Sequence, residues 1–443
     1  MHVVPSSSAD SPHPATTELE VRPFRALTYR RRDPGHLARV SSPAYDLVTP
    51  EGRERLAAAD PHNVVRLILP HVAPPPGTSA PDALRRSVGL AAQTLRRWEV
   101  DGVLERDPEP ALWVYEMRPP EGTPATVGWL GAVALPPAGS RAVLPHEDTH
   151  PAAVEGRRAL LDATDTDLEP IVLAHDPQPE VPGLTAAARR GAPTLAVTDA
   201  DGIRHELWRV TDPGLVERLT AALARTGAVI ADGHHRFAAA QAHARTRSGT
   251  PGGHAVLALL TPMGPGGLRV LPIHRVVPDL LLDDALAAAT AGFRVTDVPV
   301  DAGAAGGLAA AVREWLADEA ATGILVSDGR RLIRLGEPSA EVRASVPAEA
   351  PAAWRGLDVV LAHHGLFQQL WGRSDDAGGV LVAHSLEEAL AGAVARHGLA
   401  VLLRAPSPAD VAAVARDGAR MPRKSTLFVP KPRTGLVLRP HAD

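Results

Sequence analysis

Apolar residues recur at i, i+3 and i+4 along DALRRSVGLAAQTLRRWEVDG, residues 82–102, and this spacing predicts an amphipathic helix with Asp82 as its cap and Gly102 as its stop. Shorter apolar runs predict strands: VRPFRALTY, NVVRLIL, ALWVYEMR, VGWLGAVAL, PIVLAH, TLAVTD, IRHELWRV, GAVIAD, HAVLALLTP and VLPIHRVV. Helical patterns fall between them at TPEGRERLAAAD, AAVEGRRALLDA, PGLVERLTAALAR and HRFAAAQAHAR. After residue 278 the alternation resumes with helices DLLLDDALAAATAG and GLAAAVREWLADE, strand FRVTDV, and a hairpin GILVSDGRRLIRL turning at Asp328-Gly329. Helix GLDVVLAHHGLFQQLWG, strand GVLVAHS, helix LEEALAGAVARHG, strand AVLLRA and helix ADVAAVARDG follow, and the chain closes on MPRKSTLFVPKPRTGLVLRP. Helices and strands alternating in this way predict a mixed α/β (α+β) protein. The expected division is a disordered polar tail at 1–20, an N-terminal α/β module at 21–140, a central domain at 141–277 and a C-terminal α/β module at 278–443.

A chain of 443 residues exceeds what one hydrophobic core usually serves, which supports several subdomains. Its net charge of −5 gives no push toward nucleic acid or anionic membrane. The absence of cysteine excludes disulfides, thiolate nucleophiles and cysteine zinc sites. The first eighteen residues lack a basic region followed by an apolar one, and no apolar run reaches the ~20 residues of a membrane span, so the expected location is the cytoplasm. Of the 46 basic residues only Lys424 and Lys431 are lysines, which makes Lys424 worth a glance.

His146-Glu147-Asp148-Thr149-His150 spells H-E-x-x-H, which binds zinc when a helix turns both histidines to one side. Here Pro145 precedes it and Pro151 follows it, and a residue before proline is pushed out of the α region. The first well-placed downstream carboxylate, Glu169, also precedes a proline. A zinc hydrolase is therefore not the expectation, although Glu147 stays in reserve.

The most informative stretch is GAVIADGHHRFAAAQAHA. A strand ends at Asp232, Gly233 permits a tight turn, and a helix starts at once. Amide groups at a helix start favour phosphate, and Arg236 adds a bidentate cation. His234 and His235 donate to phosphate or move a proton, and Asp232 holds Mg²⁺ or accepts a proton from a hydroxyl nucleophile. The plain alternative is that Asp232 caps the helix and His234, His235 and Arg236 form its solvated first turn.

ADGHHRF, together with SPAYDLVTPEGRERL, DPHNVVRLILP, HEDTH, LPIHRVV and MPRKSTLFVPKPRTGL, resembles the bacterial and archaeal domain-of-unknown-function family 1015 from about Val21 onward. That resemblance implies a central ParB/sulfiredoxin-like domain flanked by N- and C-terminal α/β modules, and a likeness to free-serine kinases carrying a similar D-G-H-H-R box. It implies phosphoryl transfer from ATP or ADP, with Mg²⁺, to a small hydroxyl metabolite, free L-serine being the first guess. Asp232 to Arg236 would form the phosphate box. Glu147 would be the general base, with Glu155 as its rival.

Lys424 is a further candidate for phosphate, although no Walker A glycine precedes it. His274 and Arg275 are candidates for substrate binding or for structural roles, and Tyr45 and Asp46 lie in a loop where function concentrates. His363 and His364 lack a partner at the spacing a metal needs. Exchange of Asp232 for Asn is expected to abolish turnover with little change in melting temperature. A different class of reading is a non-catalytic CTP- or ATP-binding switch of ParB type; no basic recognition helix for DNA accompanies it.

Overall fold

The computed structural model describes residues 18–442 except 72, 74, 76, 121, 247–250, 301–305, 319, 375–377 and 423. Most of the polar tail expected over 1–20 lies outside the described residues. Leu19, within that range, is buried, and its amide donates to Thr226 O at 3.2 Å. The chain forms two compact units. Unit 1 takes the chain up to Leu144, Thr149–Gly267 and Pro430 onward; unit 2 takes Pro145–Asp148 and Leu268–Val429.

Unit 1 is built on a nine-stranded sheet. Its strands are β1 (Val21–Arg22), β2 (Leu112–Arg118), β3 (Thr126–Ala134), β4 (Val143–Leu144), β5 (Ile171–His175), β6 (Leu195–Thr198), β7 (Arg204–Val210), β8 (Ala228–Asp232) and β9 (Ala255–Pro262). The order is β4-β8-β5-β9-β3-β2-β7-β6, with β1 also paired to β3. Pairs β4/β8 and β5/β9 are parallel and the others antiparallel. Strand β9 lies between β5 and β3 and is buried from Ala255 to Thr261, which is why its sequence reads as one apolar run rather than an alternation. Where the sequence suggests a boundary at residue 140, the sheet draws strands from both sides of it. Burial of the apolar faces of β2 and β3 is completed by β9 and by residues such as Leu173 and Leu260 in one core.

The helices of unit 1 include α1 (Pro50–Ala59), α2 (Ala80–Val100), α3 (Pro151–Thr164), α4 (Pro213–Leu223) and α5 (His234–Thr246). Ser79, not Asp82, caps α2; its hydroxyl accepts from the Asp82 amide at 3.3 Å and donates to the Asp82 carboxylate at 2.5 Å. The run NVVRLIL, expected as a strand, contains a short helix at Val65–Ile68. Buried Asn63 forces it: its side-chain oxygen accepts from Val65 N at 2.9 Å, and its amide donates to Arg39 O at 2.6 Å.

Unit 2 carries a six-stranded antiparallel sheet made of β10 (His274–Val277), β11 (Arg294–Asp297), β12 (Ile324–Ser327), β13 (Leu332–Gly336), β14 (Leu381–Ala383) and β15 (Leu399–Leu402), in the order β11-β13-β12-β15-β10-β14. The expected strand VLPIHRVV is broken at Pro272: Arg269–Leu271 pairs with Leu427–Val429, and β10 joins the larger sheet. The helix expected over 356–372 turns from α to π geometry at Ala362.

Candidate functional site

Strand β8 ends in a register shift between Ile230 and Asp232 opposite β5. Such a bulge stops regular pairing and re-aims the next side chain. Gly233 follows at φ 93°, a backbone conformation that side chains rarely tolerate, and a Cβ there would meet Ile171 Cγ2 at 2.8 Å and Arg236 Nε at 3.2 Å. Helix α5 begins with the next residue. The sequence thus bends a buried strand into a helix through a residue with no side chain.

Both oxygens of Asp232 are taken by cations. Oδ2 accepts from Arg236 Nη2 at 2.5 Å, and Oδ1 lies 2.8 Å from Lys431 Nζ. Lys431 Nζ donates to Asp46 Oδ2 as well. Arg236 also donates through Nη1 to Pro170 O at 2.6 Å, and its guanidinium lies 5.7 Å from the centre of the Tyr45 ring. Arg157 approaches the same ring to 4.3 Å. Glu169 Oε1 receives the Tyr45 amide at 3.0 Å and the Thr434 hydroxyl at 2.9 Å. Arg236 Nε, by contrast, is buried and has no hydrogen-bond partner.

The electrostatics follow from this packing. Burial pushes the Asp232 carboxyl up, but Arg236 and Lys431 outweigh it and hold it below the usual range. Burial pushes Lys431 down, and Asp232 and Asp46 reverse that and raise it. Arg236 is raised in the same way: burial opposes its charge, while Asp232, Glu169, Tyr45 and Asp46 favour it. The Tyr45 hydroxyl is raised by burial, against the pull of Arg236 and Arg157.

A cavity of about 780 Å³ adjoins this cluster in unit 1, lined by Val48, Leu69, Leu84, Val88, Arg157 and Leu160 among others. Arg157 and Leu160 also line a second, smaller space of about 50 Å³ that reaches Glu169 and Arg236. The two spaces thus share Arg157 and Leu160, and the smaller one is lined by the buried guanidinium of Arg236.

The expected box of Asp232, Gly233, His234, His235 and Arg236 comes together, and the plain capping alternative does not describe it: Asp232 spends its carboxylate on two cations, and His234 is 8% exposed. His235 Nε2 accepts from the His150 amide at 3.0 Å, which places the ring proton on Nδ1. With Asp232 buried between two cations, little change in melting temperature on its exchange for Asn is no longer the expectation.

Of the remaining candidates, Glu155 lies in unit 1 and Glu147, Lys424, His274 and Arg275 lie in unit 2. Glu147 accepts from Thr426 Oγ1 at 3.0 Å, and the same hydroxyl meets His146 Nε2 at 3.0 Å. Residues 146–150 are not helical, so the helical setting that the H-E-x-x-H spacing needs is not formed there. The rival Glu155 is exposed and paired to Arg158 at 2.7 Å. Lys424 is exposed in a turn of unit 2 at φ 53°. His274 is buried in β10, where Nδ1 accepts from Leu403 N at 3.2 Å; burial, then Arg275, lowers it to about 4. Arg275 Nη1 donates to His274 O at 3.2 Å. These two are parts of the sheet of unit 2.

The sequence reading singled out Lys424; the lysine that meets Asp46 and Asp232 is Lys431, for which the rarity of lysine in this chain was the available signal. The grouping of Tyr45, Asp46, Arg157 and Glu169 had none, because their distances along the chain say nothing of their approach in space.

Residues 21–360 match the family model described as "Protein of unknown function (DUF1015)". The chain belongs to this family. No curated protein matches the chain. Among solved structures, this DUF1015 member is similar to C-terminally truncated SbnI from Staphylococcus aureus at 13% identity and a TM-score of 0.35, over 71% of this chain and 88% of that one. It is similar to a free serine kinase variant in complex with ADP at 14% identity and a TM-score of 0.33, over 70% and 92%. A conserved hypothetical protein from Pyrococcus furiosus is 15% identical at a TM-score of 0.30, over 67% and 90%. Nothing about the site is transferred from these likenesses. Among the described residues, no helix is long and apolar enough to cross a membrane.

Proposed function

We propose that unit 1 binds an adenine nucleotide and transfers its terminal phosphoryl group to the hydroxyl of a small metabolite, with free L-serine as the first acceptor to test. The observation that carries this reading is Arg236 Nε, a buried cationic N–H with no partner beside a glycine turn at a helix start. A buried polar group left unsatisfied calls for a ligand, and a phosphate oxygen is the complement of a guanidinium N–H. The neighbouring groove has the size and the apolar lining that suit a base and ribose, with Arg157 at the end it shares with the smaller space.

Three cations, Arg157, Arg236 and Lys431, stand among three carboxylates, Asp46, Glu169 and Asp232. Phosphoryl transfer relies on positioning and on neutralising charge, and this set supplies both signs. Asp46 and Asp232 converge on one ammonium, and their hard oxygens also suit Mg²⁺, which would offset charge on the phosphates. Asp232 is ionised at neutral pH. In this reading the acceptor oxygen bonds to the terminal phosphorus, the bond to the nucleoside diphosphate (or monophosphate, from ADP) breaks, and the hydroxyl proton passes to an oxygen of the transferred phosphate and on to solvent, while Asp232 fixes Arg236 and Lys431 in place. Glu147, held by Thr426 in unit 2, is left out of this reading.

The test is ³¹P NMR of the protein with Mg²⁺ and ATP, then ADP, with and without L-serine. A phosphomonoester resonance that needs serine supports the transfer. Nucleotide binding without any new resonance across a panel of hydroxyl acceptors would replace catalysis with a nucleotide switch. Absence of nucleotide binding by calorimetry would overturn the reading.

A further inference from the structure

Helix α5 carries a second cluster at its other end. His243 is fully buried, and its Nδ1 lies 2.6 Å from Asp162 Oδ1 on α3. Its Nε2 is buried with no hydrogen-bond partner. His441, 1% exposed, faces it with ring centres 5.4 Å apart, and neither His441 ring nitrogen makes a hydrogen bond of good geometry. His441 Nε2 does lie 3.2 Å from Asp167 Oδ1, close enough for an ion pair, while Nδ1 is buried with no hydrogen-bond partner. Asp165 completes the group: it ends α3 in the left-handed conformation at φ 45°, and its carbonyl accepts from His441 N at 2.8 Å. One ligand atom from each of Asp165, His243 and His441 lies within 4.8 Å of the others.

Two buried imidazoles that face each other with unsatisfied nitrogens beside a carboxylate form an arrangement that costs stability unless something bridges them. Two nitrogens and one oxygen suit a borderline divalent cation such as Zn²⁺ and leave a fourth position for water. Asp162 on His243 Nδ1 is the outer carboxylate that fixes a ligating histidine's tautomer and turns the lone pair of Nε2 toward the ion.

We propose that Asp165, His243 and His441 form a binding site for a divalent transition-metal ion, distinct from both the H-E-x-x-H stretch and the phosphate box. The ion joins the ends of α3 and α5 to the stretch that follows Pro430, the same stretch that brings Lys431 to Asp232. Its place is structural, and it stands whether or not the nucleotide reading does.

The full chain, free of any polyhistidine tag and stripped with chelator, would be titrated with Co²⁺ and then Zn²⁺. The expected result is one equivalent of Co²⁺ with visible d–d absorption, displaced by Zn²⁺, and a melting temperature that rises with Zn²⁺. His243→Gln and His441→Gln are expected to abolish that absorption, and Asp162→Asn to weaken affinity by about tenfold. His146→Gln is expected to leave the titration unchanged. Should the histidine variants fail to fold, Asp165→Asn provides the same readout: whatever its metal-free melting temperature, the rise with Zn²⁺ is expected to vanish. Absence of stoichiometric binding, or binding unaltered in the His243, His441 and Asp165 variants, overturns the site.

Discussion

Asp232 faces Arg236 on one oxygen and Lys431 on the other, and only 13% of its side chain is exposed. Removing one member of a buried charge group leaves the others uncompensated, at a cost of roughly 3–5 kcal/mol. Asp232→Asn keeps an acceptor oxygen, and Asp46 still meets Lys431, so about 3 kcal/mol is expected, together with loss of phosphoryl transfer. In a unit of this size that corresponds to a fall in melting temperature on the order of 5–10 °C. The sign with pH follows from the depressed carboxyl. Its stabilisation is complete above the unfolded value of ~3.9 and is lost as pH falls through the lower folded value. The gap between parent and variant melting temperatures should therefore hold from neutral pH down to ~3.9 and narrow only below it. A gap that stays constant as pH falls further would remove Asp232 from the acid dependence.

At the scale of elements, the site depends on one strand passing into one helix through Gly233. A Cβ at φ 93° is strained, and the nearest atom, Ile171 Cγ2 on β5, is held in a strand with little room to give. Gly233→Ala is expected to cost about 1–3 kcal/mol and to weaken nucleotide binding, because β8 and α5 can no longer meet at the same angle. Unchanged affinity, measured by calorimetry, would show that the turn does not shape the site. This strand-turn-helix was legible in the sequence because its signals are local: an apolar run, a glycine and a helical pattern in immediate succession. NVVRLIL was misread because its helix depends on Asn63 bonding to Arg39 O, a contact that apolar periodicity does not encode. The same limit hid Lys431 and Arg157, which reach the cluster from 199 residues after and 75 residues before Asp232 along the chain.

At the scale of the whole molecule, the chain leaves unit 1 at Gly267 and returns at Pro430. The returning stretch is short, yet it is anchored throughout. Lys431 meets Asp46 and Asp232; Arg433 donates through Nε to Ser41 Oγ at 2.7 Å; Thr434 donates to Glu169; and Arg439 pairs with Asp167. Leu436, Val437 and Leu438 are each no more than 4% exposed. Three such apolar side chains contribute about 1.5–3 kcal/mol each. Stranding the buried Asp167 costs roughly 3–5 kcal/mol, and leaving Asp232 with Arg236 alone adds to it. That sum reaches the whole stability of a typical domain, about 5–15 kcal/mol. A chain ending at Val429 should therefore lose the unfolding transition of unit 1 while keeping that of unit 2, whose core of Val276, Leu325, Leu402 and their neighbours contains none of the deleted residues. Differential scanning calorimetry with proteolysis would separate the two units. A truncated chain that still binds nucleotide and melts with both transitions would mean that the C-terminal stretch only covers unit 1, and Lys431 would then lose its place in the proposed mechanism.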